Sequence, residues 1–176
     1  MNWPPENDPP QAQRRLCGWD HLLGALMGGL YVAALLSSSA NLAMSRDESF
    51  YVYAAERYGS WFEILLEDPG RALERSTIDS RWDYNHEHPA LMKSLFAWSA
   101  LAQKHWKVFP QESMAFRFPG MLSAGLLLCL IYIFGARVRG RVVGLFAVAA
   151  FASMPRIFYH SELDCFDVPI VLMLTW

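Results

Sequence analysis

The stretch Leu22-Leu23-Gly24-Ala25-Leu26-Met27-Gly28-Gly29-Leu30-Tyr31-Val32-Ala33-Ala34-Leu35-Leu36-Ser37-Ser38-Ser39-Ala40-Asn41-Leu42-Ala43-Met44 carries no charged side chain and runs straight into Ser45-Arg46-Asp47-Glu48. At about 1.5 Å per residue, a helix of this length crosses a hydrocarbon layer of about 30 Å. The run is longer than the roughly 7–15 apolar residues of a signal peptide. The small residues Ser37-Ser38-Ser39-Ala40 would suit a cleavage site, and that is the competing reading. Its length favours a first transmembrane helix over 21–44, preceded by a proline-rich tail, 1–20, that holds Arg14 and Arg15.

Outward from this run, the chain alternates apolar and charged blocks. Of 176 residues, 53% are hydrophobic and only 18% charged, against about 25% charged in soluble domains. A second uncharged run, 118–136, lies between Arg117 and Arg137. A third, 142–159, reaches span length only by carrying Arg156 into the interface, where a long cation snorkels. The last, 168–176, is too short to span as a helix, so the sequence reads as ending inside a fourth transmembrane segment. The expected fold is therefore an all-α integral membrane protein, a multi-pass helical bundle.

Short loops set the orientation. Arg137, Arg139 and Arg141 join the second and third runs, and Arg14 and Arg15 precede the first. By the positive-inside rule both sites are cytoplasmic. The 45–117 loop and the 160–167 turn then fall on the opposite face, and with them Asp47, Glu48, Asp164 and Asp167. A net charge of −2 with no basic face gives no argument for a nucleic-acid partner, and none is expected. Cys17, Cys129 and Cys165 are too scattered for a metal-type spacing, and Cys129 reads as a small buried hydrophobe.

Within the long outer segment, Ser45-x-x-Glu48 has capping-box spacing and starts a helix with Asp47 and Glu48 in its first turn. Phe50, Ala54, Tyr58, Phe62 and Leu65 recur at helical spacing, so this helix should lie along the membrane surface with its aromatics in the headgroup zone. Pro69-Gly70 ends it, and 71–84 reads as a polar connection. A second amphipathic helix is expected from Ala90 to Trp106, with Pro89 at its start and Lys93 one turn in. Asp47 has two readings: favourable charge at a helix N-terminus, or a general base. Lys93 likewise is either a solvated cation or a ligand for an anion. His86 and His88, at i and i+2, converge poorly on a metal, and no further Cys or His completes a set. In Ser161-Glu162-Leu163-Asp164-Cys165-Phe166-Asp167-Val168-Pro169, three acids crowd a membrane boundary, where charge is costly unless used or paired. Asp167 would also cap the next helix.

Taken together, Asp47-Glu48 after the first span, His88-Pro89-Ala90-Leu91-Met92-Lys93, Phe116-Arg117-Phe118-Pro119 and Asp167-Val168-Pro169 resemble the GT-C membrane glycosyltransferases. The nearest branch looks like the protein O-mannosyltransferases and lipid A aminoarabinose transferases, glycosyltransferase family 39-like. The second element resembles that family's His-Pro-Pro-Leu-x-Lys, departing at Ala90. The likeness covers nearly all of the chain after residue 20, as the amino-terminal part of a longer enzyme. It implies inverting transfer of a sugar from a polyprenyl-phosphate donor to a protein, lipid or polysaccharide acceptor on the outer face of a bacterial plasma membrane. Asp47, with Glu48, would be catalytic. His88, Lys93, Arg117, Asp164 and Asp167 would bind the donor phosphate or the acceptor. No cofactor is expected beyond the lipid-linked donor, and no metal ligands are assigned, with a divalent metal left open. The rival readings are a transport or scaffold subunit, an inactive glycosyltransferase-like binding module, and a metal-dependent hydrolase built on His86 and His88.

Overall fold

The computed structural model describes residues 14–176, and the first 13 residues of the expected tail lie outside them. Nine helices run in chain order among the described residues: α1 Gly18–Ser39, α2 Arg46–Glu67, α3 Pro69–Ala72, α4 Arg75–Trp82, α5 Ala90–Trp106, α6 Glu112–Arg139, α7 Arg141–Ala152, α8 Pro155–Glu162 and α9 Asp167–Thr175. No strand occurs among these residues. Two helices, α1 and α6, are long and apolar enough to cross a membrane, and α7 with α8 would make a third if a bent pair counts as one span.

The α6 helix is the axis of the molecule: α1, α5, α7 and α9 all pack on it. Two glycine contacts allow the closest approaches. A Cβ at Gly28 would lie 2.5 Å from the Gly125 carbonyl oxygen, and one at Gly135 would lie 2.8 Å from the Gly144 Cα. Backbone-to-backbone contact of this kind lets helices associate where no hydrophobic driving force separates side chains from lipid. The buried core around α6 includes Tyr31, Leu35, Met121, Ala124, Leu128 and Tyr132.

Several expected boundaries move. The first span was expected over 21–44, but α1 ends at Ser39. The second begins not at 118 but at Glu112, so Arg117 lies inside a helix. A charge ends an apolar run in the sequence, yet a neutralised charge does not end the helix. The third run, expected as one span over 142–159, is broken: α7 and α8 meet at a 70° bend. Pro155 cannot continue the preceding helix, and Met154 before it is extended. The helix then reaches Glu162, shortening the expected 160–167 turn.

The expected polar connection over 71–84 contains α4. Arg75 and Asp79 pair at i,i+4 with Nε to Oδ1 at 2.9 Å. Its anchor is Trp82, whose ring stands 4.1 Å from Tyr58 and 5.1 Å from Trp61. The face of α2 expected in the headgroup zone is largely spent inside the protein, where Ala55, Tyr58 and partly buried Phe62 pack with Met92, Phe96 and Ala97 of α5. At the opposite end of the molecule, the Arg14 N–H donates to the Arg137 carbonyl at 3.0 Å. There the buried Asp20 pairs with Arg141 at 2.7 Å and Arg14 at 3.6 Å. The two arginine-bearing segments that the sequence assigns to one side do meet.

Candidate functional site

Asp47 and Glu48 are adjacent in the first turn of α2, about 100° apart around the helix, and face different environments. Ser45 caps the helix: its Oγ accepts the Glu48 N–H at 3.4 Å, and the Glu48 carboxylate accepts the Ser45 N–H at 2.7 Å. This capping box turns Glu48 inward, to 1% exposure. There it meets Arg117, with Nε to Oε1 at 2.7 Å and Nη2 to Oε2 at 3.0 Å. A fourth donor, the Asp164 backbone N–H, reaches Oε1 at 3.0 Å.

Arg117 is equally occupied. Besides the carboxylate, its guanidinium donates to the carbonyls of Ser39 at 3.4 Å, Leu42 at 3.0 Å and Ala43 at 3.1 Å. These are carbonyls that the end of α1 and the following turn leave without helical partners. All five guanidinium donors are used. One ion pair thus ties the end of α1, the start of α2, the first turns of α6 and the α8–α9 turn. Burial alone would raise the Glu48 carboxyl. The Arg117 bonds, with the Asp164 and Ser45 N–H groups, outweigh it and hold the group below its ordinary value. Glu48, expected beside Asp47 as a catalytic carboxylate, is therefore a structural anchor. Arg117, expected as a phosphate ligand, has no N–H left to offer one.

Asp47 faces out. It lines an open cleft of about 470 Å3 with Phe50, Tyr51, Tyr84, Asn85, Glu87 and His88. The His88 ring stacks on Phe166 with centroids 5.4 Å apart and 15° between planes. Tyr51 stands edge-on to both, at 4.7 Å from Phe166 and 5.6 Å from His88. Burial and the nearby charges of Asp167, Asp47 and Asp164, with Cys165, raise the Tyr51 hydroxyl above its ordinary value. Tyr51, together with His88, thus joins the Asp47 cleft to the acidic turn before α9 through Phe166. Sequence reading passed Tyr51 over, although it lies four residues after Asp47 and so on the same helical face.

Lys93 behaves differently from both sequence readings. It is neither solvated nor in the cleft: it is fully buried, its Nζ donating to the Asn85 carbonyl at 2.5 Å and lying 5.1 Å from the Tyr58 ring centroid. Desolvation lowers its ammonium below the usual lysine value, against a smaller opposing effect of Glu87. Lys93 holds Asn85, where φ is +56°, and through Asn85 one wall of the cleft.

Among the acids of the last turn, Asp164 is fully buried, and neither carboxylate oxygen has a hydrogen-bond partner among the described residues. Burial pushes its carboxyl well above the ordinary range; the Glu48 charge adds to this and Arg117 opposes it. Asp167 is exposed and is the first residue of α9 rather than its cap, which is Phe166. Its carboxylate accepts from His160 Nδ1 at 3.0 Å. The structure thus brings Asp47 and His88 into one cleft, puts Glu48, Arg117 and Asp164 in a buried node beside it, and leaves Lys93 supporting its wall. His86 and His88 turn to different neighbours, the Asp83 carbonyl for the first and Phe166 for the second. A set with metal-ligating atoms close together is His160, Cys165 and Asp167. No protein-family model, no curated protein and no solved structure matches this chain.

Proposed function

We propose that the protein is a membrane glycosyltransferase, or the part of one that holds the base, acting on a sugar carried by a polyprenyl phosphate. The single observation that carries this reading is the exposed Asp47 carboxylate in an open cleft with His88, next to the node that ends a membrane-length helix. Asp47 accepts the proton of an acceptor hydroxyl or amine held in the cleft. The acceptor oxygen or nitrogen bonds to the anomeric carbon, the bond from that carbon to the phosphate oxygen breaks, and the configuration inverts. Positioned carboxylate bases contribute about 10²- to 10⁴-fold. The leaving lipid phosphate is already a stable anion and needs a donor rather than an acid; His88 supplies a ring N–H from the cleft wall.

Glu48, Arg117 and Lys93 act one layer back, fixing the α1–α2 turn and Asn85. Asp167, in the neighbouring turn, lies on the acceptor side. With the Arg14, Arg137, Arg139 and Arg141 end cytoplasmic, the cleft opens on the outer face of a bacterial plasma membrane, and its partners are the bilayer, the lipid-linked donor and a protein or glycolipid acceptor.

The test follows labelled sugar from polyprenyl phosphate into acceptor in membranes containing the protein, comparing wild type with Asp47→Asn at equal protein level. Loss of transfer by about 10²-fold or more is expected. Retained transfer would move the base to another carboxylate. No transfer by wild type across several donors would favour a binding or transport subunit.

A further inference from the structure

The turn between α8 and α9 brings together three side chains of different chemistry. His160 is in the last turn of α8, Asp167 opens α9, and Cys165 lies between them. Their ligating atoms all lie within 4.8 Å of one another. His160 Nδ1 is 3.0 Å from Asp167 Oδ2, and Cys165 Sγ is 3.6 Å from the same oxygen. Bond lengths of about 2.0 Å to oxygen and nitrogen and 2.3 Å to sulfur, at tetrahedral angles, separate ligand atoms by about 3.3 Å for O···N and 3.5 Å for O···S. The two separations in the structure fall within about 0.3 Å of those values. The thiol converges on the same carboxylate oxygen as the imidazole and also lies 3.7 Å from the His160 carbonyl oxygen.

We propose that His160 Nδ1, Cys165 Sγ and the Asp167 carboxylate bind one divalent transition-metal ion, of which Zn2+ fits the mixed imidazole, thiolate and carboxylate set best. Three protein ligands leave a fourth position for water or substrate. That position has somewhere to open: His160 and Asp167 line a cleft of about 430 Å3 whose wall also carries Arg156. Cys165 is buried, which shields the sulfur from bulk water, while His160 and Asp167 face the cleft. On binding, the metal–sulfur bond replaces the thiol S–H, and its proton leaves to solvent; no electron is transferred. The site does not depend on the proposed sugar transfer, and the ligands are drawn from a stretch of eight residues, His160-Ser161-Glu162-Leu163-Asp164-Cys165-Phe166-Asp167.

The experiment titrates Co2+ into the detergent-solubilised protein and reads the near-ultraviolet thiolate-to-cobalt charge-transfer band. One equivalent is expected to saturate the band, and Zn2+ to abolish it by displacement. The Cys17→Ser/Cys129→Ser double variant keeps the band and Cys165→Ser loses it. His160→Ala and Asp167→Asn bind Co2+ at least about tenfold more weakly, the scale on which loss of even a ligand's supporting partner is felt. No band in wild type, a band that survives Cys165→Ser, or binding unmoved by His160→Ala would each overturn the site. None of these readouts involves sugar transfer, so the site and the transferase reading fail separately.

Discussion

Two carboxylates one residue apart divide the molecule. Glu48 is 1% exposed and accepts four hydrogen bonds, two of them from Arg117. Asp47 is exposed at the edge of an open cleft. Their chemistry is nearly identical and their surroundings are opposite, so position around the helix, rather than residue type, assigns the work. A charge buried with a complete set of partners holds the fold and cannot move. A charge left facing a cleft costs little to keep there and is available to a substrate.

The largest effect on the buried side should follow from cutting the ion pair. Removing one partner of a buried pair leaves an uncompensated charge and typically costs about 3–5 kcal/mol. Arg117→Met and Glu48→Met should each lose stability on that scale, read as the midpoint of thermal or denaturant unfolding in detergent. The Glu48→Met/Arg117→Met double variant should lose clearly less than the sum of the two, because both charges leave together and only neutral backbone partners stay unpaired. A double variant as unstable as the sum of the singles would mean that the node stabilises through something other than charge pairing.

A smaller effect is expected at Lys93. Loss of a hydrogen bond to a charged donor costs about 1.5–3 kcal/mol, partly offset by relief of burying the ammonium. Lys93→Met should lower stability by roughly 1–2 kcal/mol and weaken transfer only through the shifted Asn85 wall. A loss of transfer with unchanged unfolding would instead return Lys93 to the donor phosphate.

The gentlest effect, read one pH unit at a time, is the pH dependence of the node. Glu48 is held below its ordinary value, so its contribution is present above the unfolded carboxylate value and is lost as pH falls through the folded one. Asp164 is held well above, so its contribution runs the other way: stability declines as pH rises from the unfolded carboxylate value toward the folded one. The slope from one such group is at most about 1.4 kcal/mol per pH unit. Asp164→Asn should flatten the decline on the neutral side while leaving the acid-side loss. An unchanged profile would show that Asp164 is not the group that sets it.

What could be read along the chain was local. The Ser45–Glu48 capping box, the break at Pro69-Gly70 and the helix Ala90–Trp106 stand where residue order and spacing predict them. The long-range pairings were not legible. Nothing near Arg117 announces that its partner lies 69 residues earlier, so its charge read as the edge of an apolar run rather than as part of α6. Lys93 looked solvated because the Asn85 carbonyl and Tyr58 ring that receive it come from other segments. In α4 no residue is fully buried and Trp82 is the aromatic that packs on α2, too little to form a pattern in eight residues. The division between Asp47 and Glu48 was half visible: capping-box spacing marks Glu48 as the residue folded back on Ser45, which leaves Asp47 facing elsewhere.

The most direct test of that division reads two quantities on one protein: transfer from polyprenyl phosphate and the unfolding midpoint of Asp47→Asn. The outcome expected here is transfer reduced by about 10²-fold or more, with a midpoint within about 0.5 kcal/mol of wild type, the usual range for a surface change. A variant that unfolds as Arg117→Met does, or one that transfers as wild type does, would contradict the assignment of structure to Glu48 and chemistry to Asp47.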